Sequence, residues 1–253
     1  MSTQKQSKIK NILLSHQAGM VITASWMEGL GISHALQKRY RKSGWIEHVG
    51  QGAYRRVGDQ VGWAGAVRTL QQHLLKPVHI GGPTALALQG RAHYLRVKET
   101  LWLFSPLKVA LPRWFTDFDW GIQVKQIRTG AFPEGTDLVS CMQGNQEVQV
   151  SGLARAVMEC LFLAPDRVDL SECFHLMEGL TGLQPQLVQE LLEACTSVKV
   201  KRLFIFLAQR AGHAWLQHID KSRIDLGTGV RSFHQGGTYI PELGIIVPEE
   251  GTG

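Results

Sequence analysis

The sequence predicts an α+β protein, with a winged helix-turn-helix at the N-terminus followed by a mixed α+β C-terminal region. Three observations carry this. All of the net positive charge lies in the first sixty residues. Glycine and serine punctuation there cuts out short helices and a hairpin. Beyond Thr100, β-branched runs give way after Ser151 to helical periodicity.

Within residues 1–60, Lys5, Lys8, Lys10, Lys38, Arg39, Arg41, Lys42, Arg55 and Arg56 are opposed only by Glu28, Glu47 and Asp59. Nine cations against three anions account for the whole formal charge of +6, and the remaining chain is balanced. A basic unit on a neutral body suits a polyanion partner, because phosphate neutralisation releases counterions. A solvated charged surface is the alternative. No apolar run approaches the ~18 residues of a membrane span. The polar, basic stretch Met1–Lys10 lacks a following apolar run, so no secretory signal is expected and the location predicted is cytoplasmic. Cys141, Cys160, Cys173 and Cys195 are widely spaced without a C-x-x-C pair, and the histidines form no H-x-x-x-H pair. The cysteines therefore read as reduced core residues, and no metal or other cofactor is expected.

Lys5–His16 carries Ile9, Ile12 and Leu13 at helical spacing and predicts an amphipathic first helix, ended by Gln17-Ala18-Gly19. Thr23 and Ser25 are both candidate caps of a short second helix, and Ser25 to Glu28 has capping-box spacing. Gly31 suits the left-handed residue that closes it. Ser33 caps a third helix running to Ser43 and stopped by Gly44. In that helix Ile32, Leu36 and Tyr40 recur every four residues and should face inward, leaving His34, Gln37, Lys38 and Arg41 on the other side. Trp45–Val49 and Ala53–Val57 flank Gly50-Gln51-Gly52, which is hairpin chemistry. No strand-to-helix junction follows these glycines, so they are not a nucleotide loop.

Two helices and a hairpin in this order make a winged helix-turn-helix, and the partner it predicts is double-stranded DNA. Gln37, Lys38 and Arg41 would approach base edges, with His34 at the helix start. Lys42, Arg55, Arg56 and Lys10 would neutralise phosphates.

Residues 62–76 predict a further helix, ended before Pro77. Gly82-Pro83-Thr84 can start a short helix towards Gly90, either as a connecting element between two domains or as an anion site at its N-terminus. The domains expected are 1–95, the reading unit with its helical extension, and 96–253, the α+β region. Thr100–Phe104, Ile122–Ile127, Leu138–Cys141 and Glu147–Val150 predict strands. Leu153, Ala156, Val157, Cys160 and Leu161 then form one helical stripe ended near Pro165. Further helices are expected over Leu170–Leu180, Pro185–Cys195 and Val198–Arg210. The cluster Lys199, Lys201, Arg202 and Arg210 is either a solvated or salt-bridged helix face or a nucleic-acid contact. Asp117-Phe-Asp119 mimics a metal-binding carboxylate pair, yet it has no third carboxylate and sits in a turn-like stretch, so no enzyme is predicted. The alternative is a nucleic-acid-modifying enzyme delivered by the winged unit. Gly227-Thr-Gly229 and Gly236-Gly237 read as turns.

The runs Gly19-Met-Val-Ile-Thr-Ala, Leu30-Gly-Ile-Ser33, Lys42-Ser-Gly-Trp-Ile46 and Gly50-Gln-Gly-Ala-Tyr54 resemble the N-terminal domain of AbiEi-type antitoxins. The likeness continues through Ile80-Gly-Gly-Pro-Thr-Ala-Leu86. Leu176-Met-Glu-Gly-Leu180, Val200-Lys-Arg-Leu-Phe204 and Ile224-Asp-Leu-Gly227 are similar to the family's C-terminal domain. The resemblance implies a transcriptional repressor and antitoxin of a type IV toxin–antitoxin system. Its winged helix would bind inverted repeats in its own promoter. Its second domain would oppose a nucleotidyltransferase-like toxin without forming a stable complex.

Overall fold

The structure, a computed structural model, describes residues 16–91, 100–233 and 236–248. Most of the first predicted helix, Lys10 with it, and the expected boundary at 95/96 lie outside the described residues.

Among the described residues the first element is a strand that the sequence did not announce, β1 (Ile22–Thr23), followed by α1 (Ala24–Gly29) and α2 (His34–Lys42). The hairpin β2 (Ile46–Gly50) and β3 (Ala53–Arg56) completes it. The strand order β1-β3-β2 makes a three-stranded antiparallel sheet, and with the two helices a winged helix-turn-helix. Of the two candidate caps, Thr23 is the one used: its hydroxyl accepts from Trp26 N at 3.2 Å. Gly31 takes φ +76° and closes α1, with Gly31 N bonded to Glu28 O and Ile32 N to Met27 O. That double bond is the Schellman pattern, and the flanking Met27 and Ile32 are both fully buried. Gly44, at φ +68°, closes α2 in the same way through Arg41 O and Tyr40 O. A small core of Ile22, Met27, Ile32, Tyr40 and Ile46, flanked by Leu36, holds the unit together.

The predicted 62–76 helix is α3 (Trp63–Arg68), continued by a π-helical turn, Thr69–His73. The next segment is not a connector. β4 (His79–Ile80) is the middle strand of a five-stranded sheet, and α4 (Gly82–Leu88) packs on its neighbours. A two-residue strand carries no period for a sequence to display, which is why this one was invisible. The other strands are β5 (Thr100–Ser105), β6 (Gln123–Arg128), β7 (Leu138–Gln143) and β8 (Gln146–Ser151), in the order β6-β5-β4-β8-β7. The short α5 (Arg113–Thr116) lies between β5 and β6. Parallel pairs β5–β6 and β4–β8 sit beside antiparallel pairs β4–β5 and β7–β8, so the sheet is mixed.

Helix α6 (Leu153–Leu163) is buried almost all round, packing against α4 and the helices α7 (Leu170–Glu178), α8 (Pro185–Ala194) and α9 (Val198–Arg210). Arg155 and Glu159 are buried with it, and their chemistry organises the interior. Glu159 accepts from His79 Nε2 at 2.9 Å, Arg155 Nε at 3.0 Å, Ser151 Oγ at 2.7 Å and Gly82 N at 2.8 Å. The anion expected at the start of α4 is therefore this chain's own carboxylate. Burial pushes the Glu159 carboxyl up, but His79, Arg155 and Ser151 outweigh it and hold it below its usual range.

In the basic cluster of α9, Lys201 and Arg202 are buried and Lys199 is half-buried, while Arg210 stays exposed. Arg202 is buried and bonds the carbonyls of Leu226, Gly229 and Gly244, fastening the C-terminal region to the helix. Lys199 caps the end of α6 through Phe162 O and Ala164 O, and Arg210 lies over the Phe174 ring at 4.3 Å. Backbone carbonyls thus hold Lys199 and Arg202. The region they fasten contains three short strands, β9 (Arg231–Ser232), β10 (Thr238–Ile240) and β11 (Ile245–Val247), in a small sheet ordered β10-β11-β9. The glycines around them do form turns, with Gly227, Gly229 and Gly236 all at positive φ.

Candidate nucleic-acid interface

Helix α2 turns Tyr40 and half-buried Leu36 towards the small core and leaves His34, Lys38, Arg39, Arg41 and Lys42 exposed. At 100° per residue, these five positions span less than half of the helix circumference. Arg39, on the edge of the stripe, is a cation that the facing argument had left out. Trp45, at the exit of α2, is 40% exposed and adds an aromatic surface next to the wing.

Gln37 does not belong to this stripe. It is 1% exposed, and its Nε2 donates to Ala24 O at 3.3 Å and Ile32 O at 3.2 Å. Ile32 precedes α2, so its carbonyl needs a donor from outside the regular ladder, and the amide supplies one. Spacing had placed Gln37 with His34, Lys38 and Arg41 on the outward side. It lies at the border between Tyr40 and Arg41, about 60° and 40° from them, and there α1 covers it and the amide acts as a pin between the two helices.

The remaining candidates divide by surroundings. His34 is exposed and pairs with Glu28 at 2.9 Å, so the start of α2 carries a local anion. Arg55 stands opposite Glu47 in the hairpin register and bonds it at 2.8 Å through Nε. Arg56 turns inward, donating through Nη2 to the His16 carbonyl. The wing therefore does not hold both arginines free for phosphates. One is paired across the hairpin and the other braces the base of the unit. Lys38, Arg41 and Lys42 keep the exposure that the sequence predicted.

The wing is also fixed from behind. Gly50 lies so close to Trp114 of α5 that a methyl group on it would sit 2.7 Å from Trp114 Cβ. Trp114 is itself buried beside Phe115 and Trp120. At the opposite edge, Trp26 of α1 stacks on His73 at 4.9 Å, with His16 edge-on to both rings. Burial and the neighbouring His73 lower the His16 pKa to about 4, so this ring cluster is neutral near pH 7. Thr69 Oγ1 accepts from Val21 N, and Gln146 Nε2 donates to Ala18 O. The N-terminal unit is thus bolted to the α+β body at the wing and at α1.

The paired acids Asp117 and Asp119 serve turns. Asp117 accepts from the Thr116 hydroxyl and Asp119 from Gly121 N, both at 2.8 Å. Among the described residues no group of three or more His, Cys, Asp or Glu could hold a metal ion, and no helix is long and apolar enough to cross a membrane.

Comparison with known proteins places this geometry in context. Residues 5–97 match a family model described as the N-terminal domain of the AbiEi antitoxin, a transcriptional regulator. Residues 98–248 match one described as the transcriptional regulator AbiEi antitoxin of a type IV TA system. No curated protein matches the chain. Among solved structures, the crystal structure of the RV2827C protein from Mycobacterium tuberculosis is similar in fold, with a TM-score of 0.61 at 13% identity. The alignment covers 96% of this chain and 91% of that one.

Proposed function

Because this chain belongs to the AbiEi antitoxin family of type IV toxin–antitoxin transcriptional regulators, we propose that α2 is the helix with which it reads the major groove of its own promoter. The carrying observation is the exposed stripe Lys38, Arg39, Arg41 and Lys42 on a helix whose opposite face is packed and whose exit leads directly into a wing. Lysine and arginine ammonium and guanidinium groups match both phosphates and the O6/N7 edge of guanine. Repression of the chain's own operon through inverted repeats follows from such reading. The α+β region acts as the antitoxin part, opposing a nucleotidyltransferase-like toxin without a lasting complex, in the cytoplasm.

The test is a fluorescence-anisotropy titration of the full chain on its own upstream DNA and on a scrambled duplex of equal length, at several salt concentrations. Preference for the upstream DNA, with affinity falling steeply as salt rises, is the expected result. Equal affinity for both duplexes would overturn the reading of sequence by α2. The antitoxin part is tested by co-expressing the downstream toxin with a variant that no longer binds DNA. Growth should still be rescued.

A further inference from the structure

A cleft of about 520 Å³ opens on the α+β body and is lined by no residue of the winged helix-turn-helix. Its size is that of a small-molecule site. Phe104, Phe132 and Pro106 supply apolar walls. Two side chains at least nine-tenths buried, His79 and Arg155, line the same space.

Both are held by one oxygen. Glu159 Oε1 takes His79 Nε2 at 2.9 Å and Arg155 Nε at 3.0 Å, while Arg155 Nη1 is bound to Pro133 O and Thr136 O. His79 stacks on Phe104, and the Arg155 guanidinium lies over Phe132 at 5.6 Å. An ionised carboxylate only accepts, so Nε2 carries a hydrogen towards Glu159, and Nδ1 is the ring nitrogen left facing no protein partner. Among the described residues nothing bonds His79 Nδ1 or Arg155 Nη2. Two ring and guanidinium nitrogens are left for a visitor, on side chains whose other contacts fix their orientation.

We propose that this cleft binds a small, uncharged, planar heterocycle presenting an N–H beside a C=O, the edge of a lactam. The N–H donates to His79 Nδ1, the carbonyl accepts from Arg155 Nη2, and the ring lies between the aromatic and proline walls. Charge favours a neutral ligand. Arg155 already neutralises Glu159, and the exposed Glu134 carboxylate at the rim repels anions.

The proposal is tested by titration calorimetry and thermal unfolding of the full chain with uracil and hypoxanthine, using benzoate as the anionic comparison. The variant Gly130→Trp obstructs the cleft while leaving the buried network intact, since a Cβ there meets nothing nearer than Leu107 Cδ1 at 3.8 Å. At least one lactam should bind one-to-one and raise the unfolding temperature. Gly130→Trp should unfold at the wild-type temperature without ligand and bind at least about tenfold more weakly, a loss of about 1.4 kcal/mol. His79→Phe should lose lactam binding as well. Absence of binding by both lactams at millimolar concentration would overturn the proposal. So would undiminished binding by Gly130→Trp, or binding of benzoate alone. DNA affinity of Gly130→Trp should be unchanged, so this result and the promoter titration fail independently.

Discussion

Gly50 of the wing and Trp114 of the α+β body meet backbone to side chain, with no room for a Cβ between them: a methyl group on Gly50 would lie 2.7 Å from Trp114 Cβ and 2.8 Å from its Cα. The hairpin that follows α2 is therefore positioned by a tryptophan more than sixty residues away in sequence, itself locked among Phe115 and Trp120.

Gly50→Ala should consequently displace the wing or the tryptophan. Overpacking of this kind costs about 1–3 kcal/mol. Urea unfolding should show that loss, and DNA affinity of the folded variant should fall because the wing leaves its position beside α2. An unaltered denaturation midpoint would show that the contact is slack.

Arg41 and Arg55 should separate in DNA binding. Arg41→Ala removes an exposed cation of α2 and should cost about 1–3 kcal/mol on the promoter, with a smaller loss on scrambled DNA. Arg55 is held by Glu47 in a half-exposed pair worth under about 1 kcal/mol. Arg55→Ala should change promoter affinity less than Arg41→Ala and leave the preference between duplexes intact. Anisotropy titrations on both duplexes give the comparison, and equal losses for the two variants would contradict it.

Gln37→Ala should behave as a stability mutation. It strips donors from Ala24 O and Ile32 O inside the helix-turn-helix, at about 1–3 kcal/mol. Thermal unfolding should shift down, while DNA preference per folded molecule stays that of the wild type. A change in base preference at one operator position, with unchanged stability, would restore Gln37 to the groove.

His16 sets a pH dependence. Its pKa falls from an ordinary 6.5 to about 4 in the folded chain, through burial and the neighbouring His73. Between these values the unfolded chain binds a proton that the folded one refuses, so stability drops as pH falls from 6.5 to 4 and levels off below. The full loss is about 3 kcal/mol. His16→Phe should flatten the curve in that window, leaving the weaker contribution of His73, whose pKa burial also lowers.

Glu159 acts at lower pH. Its folded pKa lies below the unfolded value of 4.5, so the stability it contributes is present above pH 4.5 and is lost as pH falls from there through the folded value. Glu159→Ala at pH 7 leaves Arg155 buried without its carboxylate and should cost about 3–5 kcal/mol, read by urea unfolding. A wild-type acid profile identical to that of Glu159→Gln would show that the carboxylate is not ionised in the fold.

Local chemistry made much of this molecule legible. Gly31 and Gly44 sit where left-handed closures are needed, Thr23 where a cap is needed, and the helix expected over Val198–Arg210 forms over those same residues. Ile32, Leu36 and Tyr40 announced the inner face of α2 through spacing alone, and with it the outward Lys38, Arg41 and Lys42. These features depend on residues within one helical turn of each other, or on a contrast between apolar and charged side chains.

The fates of Gln37, Arg56, Lys199 and Arg202 depended on distant partners. Each is a polar side chain that a periodicity argument sends to solvent, and each is instead claimed by a backbone carbonyl elsewhere in the fold, as Arg202 is by Leu226, Gly229 and Gly244. The same holds for β4, whose two residues become the centre of a sheet only because β5 and β8 arrive on either side. Composition and spacing were enough to say that a cationic helix and a hairpin begin this chain. Which of its polar groups stay exposed was decided by long-range packing, because an unsatisfied buried carbonyl costs more than a solvated cation gains.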